Sequence, residues 1–108
     1  MSKLSKFFYR VLKEEEWIIF KKIKEFRGNE LDHESGFIHL STFKQLKETI
    51  NLYFKKEKKI VVIKLKLTNK KLLKWEISRG DKLFPHFYGT LNFNDVEKVQ
   101  IVKNSNAL

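Results

Sequence analysis

Gly36-Phe37-Ile38-His39-Leu40-Ser41-Thr42 is the stretch on which the fold of this chain turns. It reads as a short apolar strand carrying one histidine, followed at once by a hydroxyl pair able to open a helix. Strand, then helix, within seven residues sets a mixed architecture. Its companion is Phe84-Pro85-His86-Phe87-Tyr88-Gly89, which places a second histidine in an aromatic cluster beside the chain's only proline. Two imidazoles in two short aromatic segments make a candidate cleft.

Working outward, Phe7 to Leu12 is an apolar-aromatic run of strand length. Glu14-Glu15-Glu16 supply acids suited to a helix's first turn, where the backbone dipole is positive. Trp17, Phe20, Ile23 and Phe26 follow at helical spacing, with Lys21, Lys22 and Lys24 on the other side. Gly28 fits a left-handed cap ending that helix, and 29–35 reads as a polar loop. Phe37 to Leu40 is the next strand. Thr42-x-x-Gln45 has the form of a capping box, and its helix carries Phe43, Leu46, Ile50 and Tyr53 at steps of three and four. Trp17, Phe20 and Phe43 fall on core faces. Ile60 to Leu67 is the clearest strand, buried at its start and alternating at its end. Leu72-Leu73 and Trp75-Glu76-Ile77 are short apolar pieces, with a turn over 78–81. Phe87 to Phe93 and Val96 to Val102 read as the last strands, turning at Asn94-Asp95, and 103–108 as a loose tail. The expected fold is α+β: two main helices on a strongly curved, mostly antiparallel sheet, in a single domain spanning 1–108.

Composition narrows the function classes. At 108 residues the chain supports one core. It has no cysteine, which excludes disulfides, thiolate metal sites and a cysteine nucleophile. The first thirteen residues mix lysines with aromatics and lack a long apolar core or a small-residue cleavage site, so no signal peptide is expected there. The longest apolar run, Ile60 to Ile63, is far short of a membrane span. A cytoplasmic, monomeric domain without membrane contact is expected. The net charge of +10 favours polyanions. Yet 20 of the 23 basic residues are lysine, dispersed along the chain, and only Arg10, Arg27 and Arg79 are arginine. Groove readers and bidentate phosphate clamps lean on arginine, so a solvated lysine-rich surface is favoured over dedicated nucleic-acid binding.

Several side chains carry chemistry. His39, in a strand leading to a capped helix, either bonds a backbone carbonyl in the core or works at a ribose hydroxyl or phosphate. Ser41 and Thr42 combine hydroxyls with backbone amides at a helix start, an arrangement that serves both capping and anion binding. Pro85 and Gly89 bracket His86, one rigid and one permissive, fixing its direction. Tyr88 could stack on a nicotinamide or a base, or pack the sheet edge. Glu76 reads as a general base or ribose-binding carboxylate, its pKa raised beside a buried Trp75; the alternative is an ion pair with Arg79 or Arg10. Asp32, His33 and Glu34 match no metal-ligand spacing, so they read as a solvated loop cluster and no structural metal is expected. There is no glycine-rich phosphate loop, nucleophile elbow or His-Glu-x-x-His.

Trp17, Asp32, Gly-Phe-Ile-His-Leu-Ser-Thr with Gln45 following, Trp75-Glu76 and Phe-Pro-His-Phe-Tyr-Gly together resemble the bacterial family catalogued as domain of unknown function 952. The resemblance runs from about Tyr9 to Val102. Phe87 stands where that family tends to have a small aliphatic, and the loop before Asp32 is shorter and more charged. More distantly, the apolar-His-Leu-Ser strand is similar to that of the ADP-ribosyltransferase superfamily, in particular the RNA 2′-phosphotransferases. That second resemblance implies a split, curved sheet gripping NAD or an ADP-ribose-like ligand. It implies catalytic roles for His39, Glu76 and His86, and ligand contacts from Arg10, Asp32, Gly36, Ser41, Thr42 and Tyr88. The other reading of the same residues is a non-catalytic binding module, for a small ligand or for nucleic acid.

Overall fold

The computed structural model describes residues 6–103. The chain runs β1 (Phe8–Lys13), α1 (Glu14–Ile23), β2 (Glu25–Phe26), α2 (Glu30–Ser35), β3 (Ile38–His39), α3 (Leu46–Tyr53), β4 (Lys59–Leu65), β5 (Leu73–Ile77), β6 (Leu83–Phe87), β7 (Leu91–Asn92) and β8 (Val96–Lys103). The class is α+β, and every strand pairing among the described residues is antiparallel.

In place of one curved sheet there are three small ones, ordered β1-β4-β8, β2-β7 and β3-β6-β5. The two larger sheets meet edge to edge at a single bridge, where Tyr9 and Ser41 exchange backbone hydrogen bonds of 2.8 Å in each direction. Beyond that bridge the ladder between β1 and β3 stops. A side chain takes over there: Arg10 Nη1 donates to the His39 carbonyl at 3.1 Å. A buried carbonyl without a partner is costly, so the end of this ladder demands such a donor.

The core fills the space under these sheets. Ile60 of the central strand β4 is fully buried in a cluster with Val11 and Phe54, while Val61, Ile63 and Leu65 of the same strand, also fully buried, pack with Phe8, Leu12, Ile38 and Leu91. Trp17 and Phe20 join them from α1, their rings edge to face at 5.7 Å, an arrangement that suits the quadrupoles of aromatic rings.

Several boundaries differ from the sequence reading. Helix α1 ends at Ile23, not at Gly28: Lys24 itself adopts the left-handed conformation (φ 68°) and bonds back to the Phe20 carbonyl at 2.8 Å. Ile23 is consequently exposed, and Phe26 reaches the core from a strand rather than a helix. The expected loop 29–35 contains α2, capped reciprocally by Asn29 and Asp32. The Thr42–Gln45 contact exists, with Gln45 Oε1 accepting from the Thr42 amide at 3.0 Å. The turn it opens, Phe43–Gln45, is a 3₁₀ turn, and its tighter winding leaves Phe43 72% exposed rather than in the core. The largest shift is at 83–93. Leu83–Phe87 is the strand and Leu91–Asn92 a separate short one, so Pro85 and His86 lie inside a strand instead of a turn. Pro85 lacks a donor, and its carbonyl accepts from the Leu40 amide at 3.1 Å. Lys103, the first residue of the expected loose tail, is the last residue of β8, and 104–108 lie outside the described residues. Among the described residues no helix is long and apolar enough to cross a membrane.

Candidate functional site

Strands β3 and β6 pair with His39 directly opposite His86, so both imidazoles project from the same face of the sheet. Their ring centroids are 5.8 Å apart. Phe37, two residues before His39, shares that face, and its ring stacks on His86 at 3.9 Å. The two histidine segments therefore form one site.

Each imidazole is backed by a carboxylate. His39 Nδ1 lies 2.7 Å from Asp32 Oδ1, and His86 Nδ1 lies 2.7 Å from Glu76 Oε1. An ionised carboxylate only accepts, so Nδ1 carries the hydrogen in both rings and Nε2 faces the other way. His39 Nε2 meets Ser35 Oγ at 3.2 Å. His86 Nε2 is buried and has no hydrogen-bond partner among the described residues.

Asp32 is the hub of the first pair. Its side chain is 2% exposed, which overturns its reading as part of a solvated loop cluster. Oδ1 accepts from Arg10 Nη1 at 2.8 Å, from the His39 amide at 3.0 Å and from His39 Nδ1, while Oδ2 accepts from the Asn29 amide at 2.7 Å. Burial alone would raise this carboxyl's pKa. The hydrogen bonds from His39 and Arg10, with the arginine's charge, outweigh it and hold the group well below the usual carboxylate range.

Glu76 corrects a second expectation. Its pKa is lowered, not raised, because His86 and then Tyr88 donate to it, the Tyr88 hydroxyl at 2.8 Å. Its partner is His86 and neither arginine. The same bond raises the Tyr88 pKa, since the phenol donates to a carboxylate.

A cleft of about 320 Å³ opens beside the bridge joining the two larger sheets. Arg10, Asp32, His39, Ser41 and His86 all line it. Glu76 and Tyr88 stand behind His86 as its support. Gly36 lines a second groove together with Phe37 and Gly89, and caps α2 with φ 85°. Thr42 lines neither cleft. The backbone amides expected to be free for an anion are both engaged, Ser41's by the Tyr9 carbonyl and Thr42's by Gln45. What remains at that position is the Ser41 hydroxyl, 3.1 Å from Thr49 Oγ1.

Three cleft or site residues escaped the sequence reading. Thr49 and Arg79 line the cleft from α3 and from the turn before β6, and Arg79 Nη2 contacts both Thr49 Oγ1 and Glu48 Oε1 at 3.2 Å. Ser35 reaches His39 from the end of α2. Once 29–35 is seen as a helix ending at Gly36, the spacing Asp32-x-x-Ser35-x-x-x-His39 is the signal that places all three together. Among the described residues no group of three or more histidine and acidic side chains is placed to hold a metal ion.

A fold and site of this kind define a small α+β domain built around two carboxylate-backed histidines on neighbouring strands. The family model described as Protein of unknown function (DUF952) matches residues 11–99. The chain belongs to that family. It is similar to the crystal structure of protein CC0527 from Caulobacter crescentus, with 31% identity over 94% of this chain and 91% of that one, at a TM-score of 0.87. The solution NMR structure of CC0527 aligns with 33% identity, covering 89% of this chain and 84% of that one, at a TM-score of 0.78. No curated protein matches.

Proposed function

We propose that the cleft takes a nucleotide-sized anionic ligand of the NAD or ADP-ribose kind, and that the protein is a transferase of the ADP-ribosyltransferase-like or phosphotransferase-like class. The observation that carries this reading is the cross-strand pair His39 and His86, each oriented through Nδ1 by its own carboxylate, on the wall of one cleft. Two supported imidazoles side by side are more than packing requires, and carboxylate–histidine pairs are how proteins fix a ring's tautomer for proton transfer. The cleft's volume falls at the lower end of the range for small-molecule sites. The parting of β1 and β3 beyond the Tyr9–Ser41 bridge is the feature that favours reading the sheets as split in the way the transferase resemblance implies.

In this reading His39 moves the proton. Its ring is about one-third exposed, and its Nε2 is reached through the Ser35 hydroxyl. In transfer from NAD, the bond from ribose C1′ to nicotinamide breaks and nicotinamide leaves neutral. The acceptor's oxygen bonds to C1′, and its proton passes to His39 Nε2. Arg10, held by Asp32 and the His39 carbonyl, keeps the base in register. The test is incubation with NAD, and separately with a 2′-phosphorylated oligonucleotide plus NAD, following nicotinamide release. Wild type should turn over, and His39→Gln should lose on the order of a hundredfold or more with an unchanged circular-dichroism melt. Binding without turnover would make the cleft a non-catalytic module. Steeply salt-dependent binding that ignores His39 would point to the lysine surface and nucleic acid.

A further inference from the structure

We infer that Arg79, His86 and Thr49 form the phosphate subsite of this cleft, a role resting on the nucleotide reading above but carried by separate atoms. Two buried polar atoms among the described residues lack any hydrogen-bond partner, Arg79 Nε and His86 Nε2, and both residues line the same cleft. A buried polar atom left unpaired is costly, so two of them on residues lining one cavity mark a place built for a polar ligand.

The surroundings specify what kind of acceptor. The Arg79 guanidinium lies over the Phe84 ring at 4.7 Å and the Tyr53 ring at 5.5 Å, which fixes its plane. Its Nη2 is engaged by Thr49 and Glu48, while its Nε has no partner among the described residues. Phe84 and His86 alternate on β6 and share a face, bringing the arginine and the imidazole to the same wall. The His86 side chain is 4% exposed, clamped between the Phe37 ring and Glu76. With Glu76 accepting from Nδ1, the unpartnered His86 Nε2 is left for a ligand. Thr49 Oγ1, linked to the Ser41 hydroxyl, adds an adaptable hydroxyl beside the arginine. A guanidinium, an unpartnered imidazole nitrogen and a hydroxyl line one cleft, and guanidinium geometry suits a tetrahedral phosphate. Arg10 does not compete for this role, because Asp32 neutralises it.

The experiment is an NMR titration of the full chain, observing side-chain Nε–H of arginine and ring nitrogens of histidine. The probes are inorganic phosphate, ADP-ribose and adenosine, with chloride at matched ionic strength as the control. Saturable phosphate shifts at Arg79 Nε and His86 Nε2, absent with chloride, are expected. Arg79→Gln should weaken ADP-ribose at least tenfold and leave adenosine unaffected, and Arg79→Lys, which retains the charge, should fall between. Shifts centred on Arg10 or spread over the lysines would overturn the assignment, as would ADP-ribose binding that Arg79→Gln leaves intact. In that last case the nucleotide cleft stands and only the subsite is wrong. Saturable phosphate shifts at Arg79 and His86 without ADP-ribose binding support the subsite and reject the nucleotide reading.

Discussion

Asp32 does more in this protein than any other single residue. One carboxylate caps α2, orients His39, holds the Arg10 guanidinium and receives the amide of β3. Replacing it with asparagine leaves Arg10 buried without its counter-charge, and breaking a buried pair costs about 3–5 kcal/mol. Urea denaturation of Asp32→Asn should show a loss of that order. The pH dependence follows from the direction of its shift. The folded state prefers the ionised form, so its contribution is complete above the ordinary carboxylate value, about 4. The unfolded chain binds the extra proton as pH falls, and stability declines from about pH 5 downward. The urea midpoint of wild type should therefore drop between pH 6 and 3, with a visibly shallower drop in Asp32→Asn. Tyr88 gives a second, local test. Tyr88→Phe removes one of the two donors to Glu76, so the Glu76 carboxyl should titrate closer to its ordinary value in a carbon-detected titration. An unmoved Glu76 would show that His86 alone sets it.

At the level of elements, Gly28 ties backbone to site. Its φ is +103°, and a Cβ there would sit 2.7 Å from the Asp32 Cβ, so the glycine serves Asp32 rather than ending α1. Gly28→Ala combines backbone strain, about 1–3 kcal/mol for a residue forced into such a conformation, with a push on the hub carboxylate. It should lower the thermal midpoint and displace the His39 ring resonances together; a midpoint shift without the ring shift would separate Gly28 from the site. These elements also show what was legible from sequence. The strand before α1, the strands near 38 and 60 and the Gln45 cap could be read because periodicity and local capping decide them. Two boundaries were misread for opposite reasons. Lys24 takes a left-handed cap that glycine usually takes, hiding the end of α1. Pro85 sits in a strand, where proline's usual meaning is a turn. His39, His86, Asp32, Glu76 and Tyr88 could be named from sequence, but not which carboxylate served which ring. That pairing depends on the β3–β6 register and on α2, both long-range or masked by a polar composition. Arg79 and Thr49 reach the cleft only through tertiary packing of α3 against the turn before β6.

For the whole molecule, rigidity and function sit in different sheets. β4 is central and buried, while β5 at the edge of the other sheet is largely open to solvent. Hydrogen exchange should be slowest in β4, approaching global unfolding, and faster by at least tenfold in β5. Uniform protection across both sheets would contradict this division. The cleft lies where the stable sheet meets the softer one, joined by the single Tyr9–Ser41 bridge and the Arg10 side chain. The most direct test of the central claim is a backbone-amide NMR titration with ADP-ribose, run beside His39→Ala and His86→Gln. Saturable shifts clustered on Arg10, His39, Ser41, Glu76, His86 and Tyr88, weakened in both variants while their folds persist, are the predicted result. No shifts in wild type, or shifts that track ionic strength across the lysines and survive both substitutions, would contradict it.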